Sequence, residues 1–133
     1  MAQKISLKKV LKNLMNSNHV VEEGTSGIWT YRKWSDGTAE CWGKTAAKTY
    51  SCTNQSGNGY YTSESQTFPS GLFQTTTVGF ANRLQGTGST PSNTLITINV
   101  NNLTTTYINY WVQSTVSGSQ SLAISLYIIG TWK

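Results

Sequence analysis

The sequence predicts an all-β protein, an antiparallel β-sandwich of jelly-roll type preceded by one short N-terminal α-helix. Three observations predict it. Neutral hydrogen-bonding side chains carry the polarity: 54 of the 133 residues are Ser, Thr, Asn or Gln, and only 11% are charged. Against them stand 37% hydrophobic residues, including 5 Trp and 7 Tyr, enough apolar surface to build a core and to exclude a disordered polar tail. Short apolar and β-branched runs alternate with polar residues and are separated by Gly- and Ser-rich spacers, as antiparallel strands require. The length suits one domain. The sequence contains no apolar span of about 18 residues, so no membrane insertion is expected.

At the start, Leu7, Val10, Leu11 and Leu14 recur at helical spacing beside Ile5 and Met15, with Lys8, Lys9 and Lys12 off the stripe or at its edges. An amphipathic helix is predicted over residues 5–15. Two or three turns are marginal alone in water, so the stripe needs a partner, and copies of itself in an oligomer would provide one. Leu7, Val10, Leu11 and Leu14 are therefore the candidate oligomerisation residues. Residues 1–19 form an oligomerisation stub and linker, and residues 20–133 the β domain. Asn16, Ser17 and Asn18 end the helix, and Val20 and Val21 lead into 24–27, read as a flexible boundary.

Residues 27–43 read as a hairpin whose turn, Asp36-Gly37, suits the positive φ values of a type I′ turn. Trp29 and Tyr31 share one face of its first arm, and Trp34 and Trp42 flank the turn, so cross-strand aromatic packing is expected. Further strands are predicted within 48–53, 60–68, 75–84, 94–100, 106–115 and 121–132. Ile96, Ile98 and Val100 alternate with Thr97 and Asn99, and Leu122, Ile124, Leu126 and Ile128 alternate with Ala123, Ser125 and Tyr127, giving each strand one buried face. The spacers fall at 56–59, 86–92 and 117–119, with a bend at 68–71. Seven or eight short strands of this kind suggest a sandwich or barrel.

The chemistry-bearing residues are few. Net charge is +5, but four of the ten basic residues lie in the first dozen, at Lys4, Lys8, Lys9 and Lys12. Cys41, Cys52 and the single histidine, His19, do not complete a zinc site. The cysteines are open to two readings, a disulfide or two semi-buried strand thiols in a reducing cytosol. No secretory leader with an apolar core and small-residue cleavage site is visible. The acids are Glu22, Glu23, Asp36, Glu40 and Glu64, and no spacing pairs two of them as a glycosidase requires. Glu40 is the best single candidate, yet a strand glutamate facing Arg32 or Lys33 explains it as well. With His19 alone, a Ser-His-Asp triad is not supported, and no glycine-rich phosphate loop opens a helix. No catalytic residue, metal or cofactor is therefore expected. Trp29, Tyr31, Arg32, Lys33 and Trp34 mix aromatic and basic residues as single-strand nucleic-acid platforms do, but the basic residues beyond the helix are scattered rather than striped.

Two stretches carry a resemblance. Residues 20–34, continuing through Ala39, Glu40, Cys41, Trp42 and Gly43, and the end of the chain, 102–107 and 128–133, with Thr67-Phe68-Pro69 as a connecting bend, resemble the C-terminal domains of bacteriophage and prophage tail fibre and baseplate proteins. The first stretch is similar to the opening of many such domains in phages of Gram-positive hosts. The resemblance implies a non-enzymatic β-sandwich tip, a homotrimer made in the bacterial host cytoplasm and carried on the virion tail. It would contact other virion tail proteins and host cell-surface carbohydrate. Fibre proteins carry a virion-attachment region ahead of the tip, so the chain reads as a fragment, a separately encoded tip or a small decoration subunit. A capsid or baseplate decoration protein without a host ligand is the alternative.

A sugar site would use exposed aromatic faces with neutral amides and hydroxyls around them. Two sets qualify: Tyr60 and Tyr61 beside Asn58, after a glycine-rich loop, and Tyr107, Asn109, Trp111 and Gln113, which share one face of a strand opposite Ile108, Tyr110 and Val112. The strand pattern equally suits one face in the core and the other at a subunit interface.

Overall fold

The computed structural model describes residues 6–84 and 94–133, with the backbone alone at Leu14 and Met15. The spacer predicted at 86–92 lies outside the described residues, as does the Leu14 side chain. Helix α1 (Leu7–Asn16) is followed by strands β1 (Val20–Ser26), β2 (Trp29–Trp34), β3 (Thr38–Lys44), β4 (Lys48–Cys52), β5 (Asn54–Ser56), β6 (Gly59–Thr67), β7 (Thr75–Leu84), β8 (Ile96–Leu103), β9 (Tyr107–Ser114) and β10 (Gly118–Thr131). Every strand pairing is antiparallel. The strands form two sheets: one of six runs β1-β2-β3-β10-β4 with β7 also on β10, the other of four runs β5-β6-β9-β8. The predicted all-β sandwich is thus the observed class.

β10 organises the fold. Its 14 residues span about 45 Å, pairing first with β4 and then with β3 along one edge, and with β7 along the other. Between β3 and β4 the ladder is bridged by Thr45, whose N–H donates to the Ile124 carbonyl at 2.9 Å and whose hydroxyl accepts from the Ile124 N–H at 3.0 Å. The alternation of β10 sends Leu122, Ile124 and Ile128 inward against Ile108, Tyr110 and Val112 of β9, all with no exposed surface. Trp29, Phe68 and Phe73 close one end through edge-to-face contacts at 5.6 and 5.2 Å.

Three expectations are corrected here. Residues 24–27 are no flexible boundary: Gly24 to Ser26 complete the edge strand β1, which is held to β2 by Glu22 on Lys33 at 3.1 Å and Glu23 on Arg32 at 3.2 Å. Its Gly24 leaves the room that the Tyr31 ring occupies. The β2–β3 turn is not type I′, because Asp36 keeps a negative φ and only Gly37 is positive, at 98°. A three-residue loop results, in which the Asp36 carboxylate accepts from the Thr38 N–H at 2.8 Å. Trp34 and Trp42 do not pack together: Trp42 lies under the Arg32 guanidinium, 5.2 Å from the ring centre, while the Trp34 carbonyl accepts from the Trp132 indole at 2.8 Å.

The linker after the helix is clasped to that loop. Asn18 Nδ2 donates to Asp36 at 3.1 Å, and the His19 carbonyl accepts from the Ser35 N–H at 2.8 Å. Leu7, Val10 and Leu11 remain exposed, at 72%, 37% and 50%. No described helix is long and apolar enough to cross a membrane.

Cys41 and Cys52 are free and buried. They lie opposite Ile128 and Gly118 of β10, ten positions and about 33 Å apart along that strand, which no disulfide spans. Burial, and then Glu40, push the Cys41 thiol up to about 12, and burial also raises that of Cys52. Both are expected to resist a thiol reagent in the folded protein and to react together once denaturant is added; rapid labelling of either in native buffer would show that β3 or β4 opens locally.

Candidate functional site

The outer face of the four-stranded sheet is the candidate site. Period-two alternation along β9 points Tyr107, Asn109, Trp111 and Gln113 outward, half-buried, while Ile108, Tyr110 and Val112 enter the core. The register sets Thr67, Ser65, Ser63 and Tyr61 of β6 beside them in that order. On the other side, Thr97 of β8 lies opposite Gln113 and Asn99 opposite Trp111, and a bulge after Val100 brings both Asn101 and Asn102 toward the same surface.

Tyr61 and Trp111 stack, with ring centres 4.5 Å apart and planes 22° from parallel. Around them the amides hold one another. Gln113 Oε1 accepts from the Asn99 amide and, at 3.4 Å, from the Thr97 hydroxyl. Asn109 accepts from Asn101 at 2.9 Å and donates to Ser65 at 3.0 Å, and Asn102 donates to the Tyr107 hydroxyl at 3.2 Å. The residues that point outward from these four strands are all uncharged.

The predicted residues are partly brought together. Tyr61, Trp111 and Gln113 cluster at one end of the face, and Asn58, in the β5–β6 turn, lines a groove of about 310 Å³ there with Leu95, Thr97, Gln113 and Thr115. Tyr107 and Asn109 lie at the other end. Tyr60 is placed elsewhere: neighbours on a strand point to opposite faces, so it turns inward and packs on the core. The cluster end is the end remote from the helix. β10 begins there, where Gly118 pairs with Cys52, and finishes at Thr131, beside the loop that clasps Asn18.

A second polar centre was not singled out from sequence. Glu64, on the inward side of β6, accepts from Tyr50 at 2.5 Å and from Tyr110 at 2.7 Å, and pairs with Lys48. Burial raises its carboxyl, but the hydrogen bonds from Lys48, Tyr50 and Tyr110 outweigh this and hold it below the usual glutamate range. Burial, and then Glu64, push Tyr50 up to about 12; Tyr110 is also raised, chiefly by burial. The signal for this centre is an acid two positions from both Thr62 and Gln66 on the core-facing side of a strand.

All five carboxylates are engaged within the fold. Glu22 and Glu23 pair across β1–β2, Asp36 caps its loop, and Glu64 ties Tyr50 and Tyr110. Glu40 sits opposite Arg32 in register but accepts from the Tyr127 hydroxyl at 2.5 Å, a bond that, ahead of burial, pushes that phenol up to about 12. Among the described residues no three His, Cys, Asp or Glu side chains are grouped to hold a metal. A second groove, of about 420 Å³, lies between Ile28 and Pro69, but the Trp29 indole N–H on its wall is spent on the Thr67 carbonyl at 2.7 Å.

The architecture is that of an all-β sandwich with an uncharged aromatic and amide face. No family model matches the sequence, and no curated protein matches it. Two solved structures match nearly the whole chain. An N-truncated R2-type pyocin tail fibre superposes with a TM-score of 0.57 at 15% identity, covering 96% of this chain and 43% of its own. An N-truncated R1-type pyocin tail fibre superposes with a TM-score of 0.59 at 12% identity, covering 97% of this chain and 99% of its own. The chain therefore shares a tail-fibre fold, as the sequence resemblance implied, and spans less than half of the R2-type structure.

Proposed function

We propose that this chain is a non-enzymatic tail-fibre tip domain, carried on a virion tail with other tail proteins and adhering as a homotrimer to neutral host cell-surface glycan. One observation carries the reading: Tyr61, Trp111, Gln113 and Asn58 converge, with Thr97 and Asn99, at the end of an uncharged sheet face remote from the helix. Aromatic faces take the C–H side of a pyranose, and fixed amides and hydroxyls order its hydroxyl groups. The shared fold with pyocin tail fibres supports the fibre role. Residues 1–19 act as the oligomerisation stub, its exposed Leu7, Val10 and Leu11 meeting their copies, so that three weak sites sum through avidity.

The test is binding of the full chain to an immobilised panel of bacterial surface polysaccharides. Trp111→Ala is expected to weaken binding of the bound polysaccharide at least about tenfold. Raising salt from about 0.05 to about 0.5 M is expected to leave binding unchanged, because no charge on this face is there to be screened. Binding that collapses with salt would point to a phosphate-bearing polymer and overturn the reading, as would a Trp111→Ala chain that binds like the unaltered one.

A further inference from the structure

We infer that the outer face of the six-stranded sheet is the surface on which a second copy of this chain packs, with Phe80 at its centre. The inference rests on the oligomeric part of the reading above and names the surface. Register alone builds the face. Tyr127 of β10 lies between Trp42 of β3 and Phe80 of β7, and Ile129 lies opposite Val78, so an apolar row crosses three hydrogen-bonded strands. Phe80 is 53% exposed and Val78 40% exposed. On the opposite side of the molecule the outward amides satisfy one another, whereas among the described residues nothing covers these two side chains. Clustered exposed apolar groups of this kind mark a contact surface.

The face carries both halves of a contact. Along the same three strands, a groove of about 490 Å³ is lined by Trp42, Gly43 and Lys44 of β3, Leu84 of β7 and Ser125 of β10. Glu40 and Lys44 stand on either side of Trp42 on one strand, so the apolar row is bracketed by opposite charges. In a ring of three the contact is heterologous, so a face holding a knob, a groove and charges of both signs lets the Phe80 side of one copy meet the groove side of the next. The helix leads to the same place: Asn18 lines a shallow dip with Trp34, Thr38, Glu40 and Ile129, so the exposed helix stripe and this face start from one corner. One partner chain can cover both.

Light scattering after size exclusion on the full chain tests this. The unaltered protein is expected to run at three times the single-chain mass. Phe80→Glu, a change at an exposed position, is expected to bring it to the single-chain mass at the same concentration while circular dichroism and the melting temperature stay unchanged. Phe80→Leu should keep the assembly. A single-chain mass for the unaltered protein overturns the inference, as does an assembly that survives Phe80→Glu but is lost in Leu7→Ser/Leu11→Ser, which would leave the helix as the whole contact. Phe80→Glu leaves the Tyr61 and Trp111 face untouched, so binding of a soluble oligosaccharide fragment per chain should persist while binding to an immobilised polysaccharide weakens. Loss of soluble binding in Trp111→Ala with an intact assembly would bear on the glycan reading alone.

Discussion

Replacing Glu64 with alanine is expected to cost about 3 kcal/mol of folding stability, measured by urea unfolding at neutral pH. The carboxylate is 17% exposed and accepts hydrogen bonds from Tyr50 and Tyr110, which are 3% and 0% exposed. It joins β4 of one sheet to β6 and β9 of the other. Alanine leaves two phenols in the core without their acceptor, and that desolvation dominates the cost. Glu64→Gln keeps an acceptor of the same shape and should lose only about 1 kcal/mol, because the Lys48 ammonium it abandons is half in water. The same group sets an acid response. Its carboxyl is held lower in the folded chain than in the unfolded one, so its contribution is complete above the unfolded glutamate range, near about pH 4.3, and drains away as pH falls through the lower folded value. Unfolding curves at pH 7 and pH 3 should therefore converge for the unaltered protein and Glu64→Gln as the pH drops. A constant gap between them would show that the carboxylate's charge contributes nothing to the clasp.

What the sequence made legible was what strand period alone determines. Alternation placed Tyr107, Asn109, Trp111 and Gln113 on one face and Ile108, Tyr110 and Val112 on the other, as found. The i, i+3, i+4 spacing likewise located the helix and its apolar stripe. Contacts between distant strands were not legible. β1 escaped notice because Glu22 and Glu23 are adjacent acids beside a glycine, a pattern that becomes a strand only against Arg32 and Lys33. Tyr60 and Tyr61 looked like a joint platform because their proximity in sequence hides the opposite directions of neighbouring strand residues. Glu40 drew attention among the acids, yet Glu64 is the more deeply engaged, and its partners Tyr50 and Tyr110 are 14 and 46 residues away. Phe80 falls within the strand predicted at 75–84, and the sequence assigns it no face. Only the register against Tyr127 shows it on the outer side.

Gly130→Ala is expected to be the other strongly damaging substitution, at about 3 kcal/mol, or about 10 °C in melting temperature. The reason is space rather than backbone conformation. Gly130 is not among the positive-φ glycines, but a Cβ there would run into the Thr75 carbonyl oxygen, with the Thr76 backbone at 2.9 Å and the Phe73 ring at 3.0 Å. Neither backbone can yield cheaply. The β10–β7 register shifts between Ile129 and Gly130, and just beyond it the Gln74 N–H donates to the Thr131 carbonyl at 2.7 Å while the Thr75 and Thr131 hydroxyls meet at 2.7 Å. An added methyl must push the start of β7 off β10. Gly27→Ala separates this from the general cost of losing a glycine: Gly27 has φ of 59° with no atom within 4 Å of a new Cβ, so only the left-handed backbone is penalised, by about 1 kcal/mol. Thermal melts of the two variants should differ by more than twofold in the stability lost. Because β7 carries Val78 and Phe80, Gly130→Ala should also loosen the assembly of copies at concentrations where Gly27→Ala leaves it intact. Equal losses in the two variants would mean that β7 can slide along β10, and the face built around Phe80 would then have no fixed register to present.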